Sequence, residues 1–216
     1  FEEFGDAFHV FVLGQIYYPI HMAIKFGIKL IFYGENGELE YAGDPGSKDR
    51  PSTDLIKDDK WLNGYLKGTT LDSLMEYGVK NKEYLNKGDL DLADTKFYKP
   101  PSKAEMISAN VSKIYYYNYF KNWNPQENFY YASEKTGFLP NPERTEGTYS
   151  KYASLDDKMD GMHYYMRYIK FGLGRCIEDA AHEIREGHIS REEGIALINK
   201  YEGEFPQKYF QDFLNY

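Results

Sequence analysis

The chain has 216 residues, 42% of them hydrophobic, and sets 26 Lys and Arg against 34 Asp and Glu for a formal net charge of −8. That length and apolar content suffice for one sizeable core and weigh against a disordered chain, while an acidic balance without a dense Lys/Arg block argues against nucleic acid as the main partner. Cys176 is the single cysteine, which excludes an internal disulfide and any multi-cysteine metal cluster and points to a reducing, cytoplasmic compartment.

Phe1 to Phe8 reads as the end of a helix already under way, so the chain is expected to be a fragment. No signal peptide is visible in the opening Phe-Glu-Glu-Phe. Val10 to Ile24 is apolar, but Gln15, Pro19 and His21 interrupt it and Lys25 and Lys29 close it before the roughly 20 residues that a membrane span requires. Apolar residues at near-helical intervals from 16 to 26 predict a helix of about two to three turns, with Pro19 in its first turn and Gly27 at its end. Ile28 to Tyr33 shows little alternation and predicts a strand covered on both faces of a parallel sheet. The turn that follows, Gly34 to Tyr41, occupies the position beyond a strand's carboxyl end where ligand crevices form, although an ordinary Asn-Gly turn with solvated glutamates accounts for it equally well.

Residues 42–110, rich in Gly, Asp, Lys and Ser, predict small helices with long connections, either an inserted subdomain or lid or an irregular surface excursion. Ile114 to Phe120 predicts a strand returning to the main sheet, and Leu139 to Tyr149 a loop. The remainder is helical: Asp156 to Phe171, a break at Gly172 and Gly174, Arg175 to Glu186 ending at Gly187, and a third helix opened by the capping box Ser190-Arg191-Glu192-Glu193. The expected organisation is an α/β core segment over 1–44, an inserted helical or irregular part over 45–110, and a return to the core with carboxy-terminal helices over 111–216.

Three polar groupings are candidates for chemistry: Glu35, Asn36, Glu38 and Glu40 after the first strand; Asp156, Asp157, Lys158, Asp160 and His163 around a helix start; and Lys170 with Arg175, Asp179, His182 and Arg185 around the double-glycine break. Arg175, Asp179 and His182 fall at i, i+4 and i+7 on one helix face, a spacing that also describes a salt-bridged surface. His163 and His182 are candidate bases or satisfied structural histidines. No His-Glu-x-x-His pattern occurs, so no metal ligands are assigned. Twenty-two Tyr, fourteen Phe and two Trp bring the aromatic content to 18%, which suits stacking on sugars but also plain packing.

Two stretches go beyond generic spacing. Ile28 to Gly43 reads IKLIFYGENGELEYAG, and Glu146 to Pro206 contains EGTYSKYASLDDKMDG, YIKFGLGRCIEDAAHEIREGHISREEG and YEGEFP. Both resemble the N-acetyl sugar amidotransferase family, bacterial enzymes of lipopolysaccharide, surface-polysaccharide and flagellin-glycan assembly that include those acting on pseudaminic acid-type sugars. The resemblance implies the carboxy-terminal part of a parallel-sheet PP-loop ATP pyrophosphatase (adenine nucleotide alpha hydrolase-like) fold with a helical carboxy-terminal region. It also implies ATP-dependent conversion of a sugar acetamido group to acetamidino, with ATP and magnesium required and ammonia supplied by a glutaminase-like partner. The family's Ser-Gly-Gly-Lys-Asp-Ser phosphate loop is absent from 1–216, so this chain alone is expected not to hydrolyse ATP. By the resemblance, Glu35, Asn36 and Glu38 orient the nucleotide, its metal or the acetamido group, and Lys170 and Arg175 hold phosphate. Glu40, Tyr41, Tyr149, Lys151, Asp156, Asp157, Lys158, His163, Tyr164, Asp179 and His182 face the N-acetylated sugar or sugar nucleotide. Two rival functions remain open at this point: a PP-loop enzyme with another acceptor such as tRNA, and a tyrosine-rich glycan-binding module without catalysis.

Overall fold

A computed structural model describes residues 5–6, 8–35, 50–64, 68–81 and 95–215. The chain divides into two compact units, one of residues 8–122 and one combining residues 1–7 with 123–216.

The unit of residues 8–122 is mixed α/β. Helix α1 (His9–Phe26) buries His9, Leu13, Tyr17, Ile20 and Ala23, a row at intervals of three and four that forms one face. It ends where Gly27 takes a φ of 68°, and the Ile28 N–H closes back on the Ala23 carbonyl at 2.8 Å, a Schellman-type stop. The helix begins well before residue 16, so Pro19 lies in its interior rather than its first turn. Burial of the row from His9 to Ala23 offsets the one backbone bond a proline removes.

Strands β1 (Phe32–Tyr33), β2 (Ser52–Asp54) and β3 (Lys113–Tyr116) form a mixed sheet in the order β1-β3-β2, with β1 parallel and β2 antiparallel to β3. Strand β2 falls inside the region expected to be helical or irregular, and its three residues carry too little apolar alternation to be recognised. The expectation of a first strand covered on both faces fails. Ile31 is 8% exposed, but Ile28, Leu30 and Phe32 are 49%, 58% and 48% exposed. Only the Ile31 and Tyr33 side meets the core, where the Tyr33 hydroxyl donates to the Ile16 carbonyl of α1. The other side carries an aromatic group in which Phe32 packs against Tyr115, Tyr117 and Phe120.

The second half of the predicted 114–120 strand is a helical turn, α4 (Tyr117–Phe120), which follows α2 (Leu71–Asn81) and α3 (Lys103–Ala109) in the chain. Helix α3 opens with a capping box in which the Glu105 N–H bonds Ser102 and the Ser102 N–H bonds Glu105.

The second unit is helical. Helix α5 (Pro125–Thr136) has Asn124 as its N-cap, accepting from the Glu127 N–H at 3.1 Å, and Pro125 in its first turn. A loop leads to α6 (Asp160–Phe171), α7 (Arg175–Arg185), α8 (Arg191–Tyr201) and α9 (Phe210–Asn215). Helix α6 starts at Asp160 and not at Asp156. The Asp157 carboxylate accepts from the Met159 N–H at 2.6 Å, and that local turn competes with helix. The predicted box at Ser190 and Glu193 forms and opens α8. Helices α7 and α8 approach so closely that a Cβ at Gly194 would come within 2.6 Å of Ile184. Among the described residues, no helix is long and apolar enough to cross a membrane.

Candidate functional site

The second unit concentrates its buried charge between α6 and α7. Arg175, in the first turn of α7, donates from Nε to Asp179 at 3.1 Å and from Nη1 to the Tyr164 hydroxyl of α6, and its guanidinium lies 4.6 Å from the Tyr164 ring centroid. Burial by itself lowers the pKa of this group, but the charges of Asp179, Tyr164, Glu178 and Asp160 outweigh it, so Arg175 stays protonated. Asp179 accepts a second hydrogen bond from the Thr148 hydroxyl at 2.5 Å. One turn away, Arg167 of α6 pairs with Glu178 of α7; burial raises the Glu178 carboxyl despite the two arginines that oppose the shift. Burial likewise raises Asp160, against the lowering influence of Ser154 and Arg175. Chemically this is an ion-paired network that ties two helices together and holds two cations, Arg167 and Arg175, against Glu178 and Asp179.

The double-glycine break is built around Glu202. Gly174 caps α7 with no side chain to offer, and the Glu202 carboxylate, just past α8, accepts from the N–H groups of Gly174 and Ile177. The positive helix end that would suit a phosphate is therefore filled by a carboxylate of the chain itself. Gly203 follows with a φ of 76°, where a Cβ would stand 2.5 Å from the Tyr168 ring. Glu204 then takes Arg144 in a fork, with bonds of 2.6 and 2.7 Å, and also accepts from the Gly147 N–H at 2.9 Å. The Arg144 hydrogen bond holds the Glu204 carboxyl below the usual carboxylate range. Glu146 returns the connection by accepting from the Lys208 N–H. The Glu-Gly steps of EGTYSK and YEGEFP are thus the two halves of a brace.

A pocket of about 340 Å³ opens in the same unit, with Gln126, Phe129, Tyr149, Lys151, Tyr152 and Glu183 among its walls. Phe129 and Tyr152 stack at 4.5 Å and 8°, and the Tyr152 hydroxyl donates to Gln126 Oε1 at 2.7 Å. Burial first, then the Glu183 and Asp179 carboxylates, raises the phenol of Tyr149; burial also raises Glu183 itself.

The nominated residues separate into groups. Tyr164, Arg175 and Asp179 come together, and Tyr149 and Lys151 border the pocket. His182 shares a helix with Arg175 but packs edge-on to Trp123 at 4.8 Å and contacts Arg185. His163 meets Asp6 at 3.1 Å, Lys170 donates to the Gly5 carbonyl at 3.3 Å, and Lys158 pairs with Asp212 at 3.2 Å. Asp156 is exposed, and Asp157 serves the turn before α6. Glu35 belongs to the unit of residues 8–122, whereas Asn36, Glu38, Glu40 and Tyr41 lie outside the described residues. Among the described residues, no three His, Cys, Asp or Glu side chains converge as a metal cage. A magnesium ion carried on nucleotide phosphates needs only one or two protein carboxylates, and Glu35 is a chemically suitable donor.

Sequence reasoning passed over Glu202, Glu204, Arg144, Thr148, Tyr152 and Glu183. The repeated Glu-Gly steps were the available signal for the brace. Nothing in linear spacing announced the pocket.

Residues 146–216 match the family model of the C-terminal domain of WbpG-like LPS biosynthesis proteins. No curated protein matches the chain at a significant level.

Proposed function

We propose that this chain contributes to bacterial surface-glycan biosynthesis as part of an ATP-dependent N-acetyl sugar amidotransferase. The observation that carries the reading is the match of residues 146–216 to the WbpG-like LPS biosynthesis domain. Two features support it further: the runs IKLIFYGENGELEYAG and YIKFGLGRCIEDAAHEIREG, and an aromatic-walled pocket bordered by Tyr149 and Lys151. An amide oxygen is a poor leaving group. ATP, as a substrate, adenylates the acetamido oxygen with release of pyrophosphate, and ammonia then attacks the same carbon as AMP departs with that oxygen. The product is an acetamidino group. The PP-loop fold, the pseudaminic acid-type sugar and the glutaminase-like ammonia source are parts of the same proposal.

In this scheme Glu35, Asn36 and Glu38 orient the nucleotide, its magnesium ion or the acetamido group, and Lys170 and Arg175 steady phosphate oxygens. Arg175 reaches phosphate only by exchanging Asp179 for it. The test is to incubate the full-length protein with ATP, magnesium, ammonia and a panel of N-acetyl sugars. The expected result is pyrophosphate together with a sugar product lighter by the difference between O and NH. Sugar binding that ignores ATP, with neither product across the panel, overturns the proposal in favour of a glycan-binding module.

A further inference from the structure

The pocket on the second unit has walls of one kind and polar atoms of another. Phe129 and Tyr152 supply stacked aromatic rings, and the Tyr152 ring is fixed by its hydroxyl bond to Gln126. The polar residues of its lining include Glu183, Tyr149, Gln126 and Lys151. The Tyr149 hydroxyl is buried beside the Glu183 carboxylate, and each group shifts the other's titration. A carboxylate set against aromatic walls is costly unless donors meet it, so Glu183 on the pocket wall favours a ligand that donates hydrogen bonds. Among the described residues, Glu183 has no Lys or Arg at ion-pair distance. Lys151, another wall residue, donates to the Pro142 carbonyl at 3.0 Å, and the His188 ring meets the Asn124 amide at 3.3 Å.

A ligand that completes these walls must be planar enough to lie on aromatic faces, must donate hydrogen bonds to a carboxylate, and must carry a positive charge to offset it. We propose that the pocket bordered by Phe129, Tyr149, Tyr152 and Glu183 binds a planar organic cation of the amidinium class. The amidinium fork presents two N–H groups to one carboxylate, as an arginine does. A neutral acetamide of the same shape places its carbonyl oxygen where the fork needs a second N–H, so it donates through its NH2 alone and brings no charge to offset the carboxylate. The cation preference stands on the pocket alone. Naming its source as the acetamidino group of the product rests on the amidotransferase reading, in which the pocket holds the product and releases the precursor.

The test uses the full chain, labelled with ¹⁵N and without ATP or sugar, titrated with acetamidinium chloride or acetamide at matched ionic strength. Acetamidinium is expected to shift the amide signals of Tyr149, Ser150, Tyr152 and Glu183 saturably, with acetamide weaker by about tenfold or more. Glu183→Gln should remove the saturation, and Lys151→Ala, which deletes a like charge at the exposed rim, should tighten binding. Equal affinity for acetamide, shifts that never saturate, persistence in Glu183→Gln, or weaker binding in Lys151→Ala each overturn the proposal. Because no turnover is read, such a failure leaves the amidination reading standing, and absence of pyrophosphate in the turnover assay leaves this one standing.

Discussion

Replacing Glu202 by alanine removes both side-chain acceptors from the amino end of α7. Glu202 comes from 28 residues further along the chain and takes the N–H groups of Gly174 and Ile177. Loss of a helix cap costs about 1 kcal/mol and loss of a bond to a charged acceptor about 1.5, so the half-exposed Glu202 is worth roughly 2 to 3 kcal/mol. At 1.4 kcal/mol per decade, the amides bonded within α7 should exchange with solvent about 30- to 140-fold faster in Glu202→Ala. Native-state hydrogen exchange over Asp179 to Arg185 reads this without assuming that both units unfold together. Glu202→Gln retains the volume but turns one oxygen into a donor that faces an N–H, so it should fall well short of wild type. Ser190→Ala, which removes the cap of α8, provides a scale of about 1 kcal/mol. The reasoning is refuted if Glu202→Ala changes α7 exchange no more than twofold while Ser190→Ala is felt.

The Arg144–Glu204 fork should show itself in acid. Arg144 depresses the Glu204 carboxyl, so the contribution of the pair is complete above the unfolded value of about 4.3 and is lost as pH falls through the lower folded value. Melting temperatures of wild type and Glu204→Gln should therefore converge as the solution is acidified, and a constant gap rejects the pairing. Arg175→Ala leaves the Asp179 carboxylate half-buried without its cation and should destabilise by about 3 to 4 kcal/mol in urea unfolding. Asp179→Asn on that background should add less than it does alone, and strict additivity would show that the two are not coupled. Cys176 is fully buried and its thiol is pushed up to about 12 by burial, so native protein should resist aromatic disulfide reagents until denaturant is added. Rapid labelling of folded protein would contradict that burial.

The candidate site was partly legible. Arg175 and Asp179 form the expected i, i+4 pair because helical geometry by itself places them on one face. The same spacing placed His182 on the row, yet its ring packs on Trp123, since a shared face does not decide what stands opposite. Tyr149 and Lys151 were nominated on resemblance and do border a pocket, while Tyr152 and Glu183 were not. One lies three residues beyond Tyr149 in a loop and the other on α7, and their convergence follows from how the loop folds back on the helix. The YEGEFP run carries a likeness in the sequence, and only the structure shows that its carboxylates bind two separate pieces of backbone.

Helix punctuation was determined by sequence alone: the Gly27 and Gly172 ends, the double-glycine break and the Ser190 box all stand where local reading puts them. The Gly27, Gly172 and Ser190 boundaries are settled by bonds spanning a few residues and so by contiguous sequence, whereas the start of α7 after the break also draws on Glu202 from 28 residues away. Tertiary structure alone decided that β1 is covered on one side only, that β2 joins the sheet, and that Arg144 finds Glu204 across 60 residues. Periodicity states which side chains share a face, but the burial of a strand and the partner of a charge depend on surfaces brought together from distant parts of the chain.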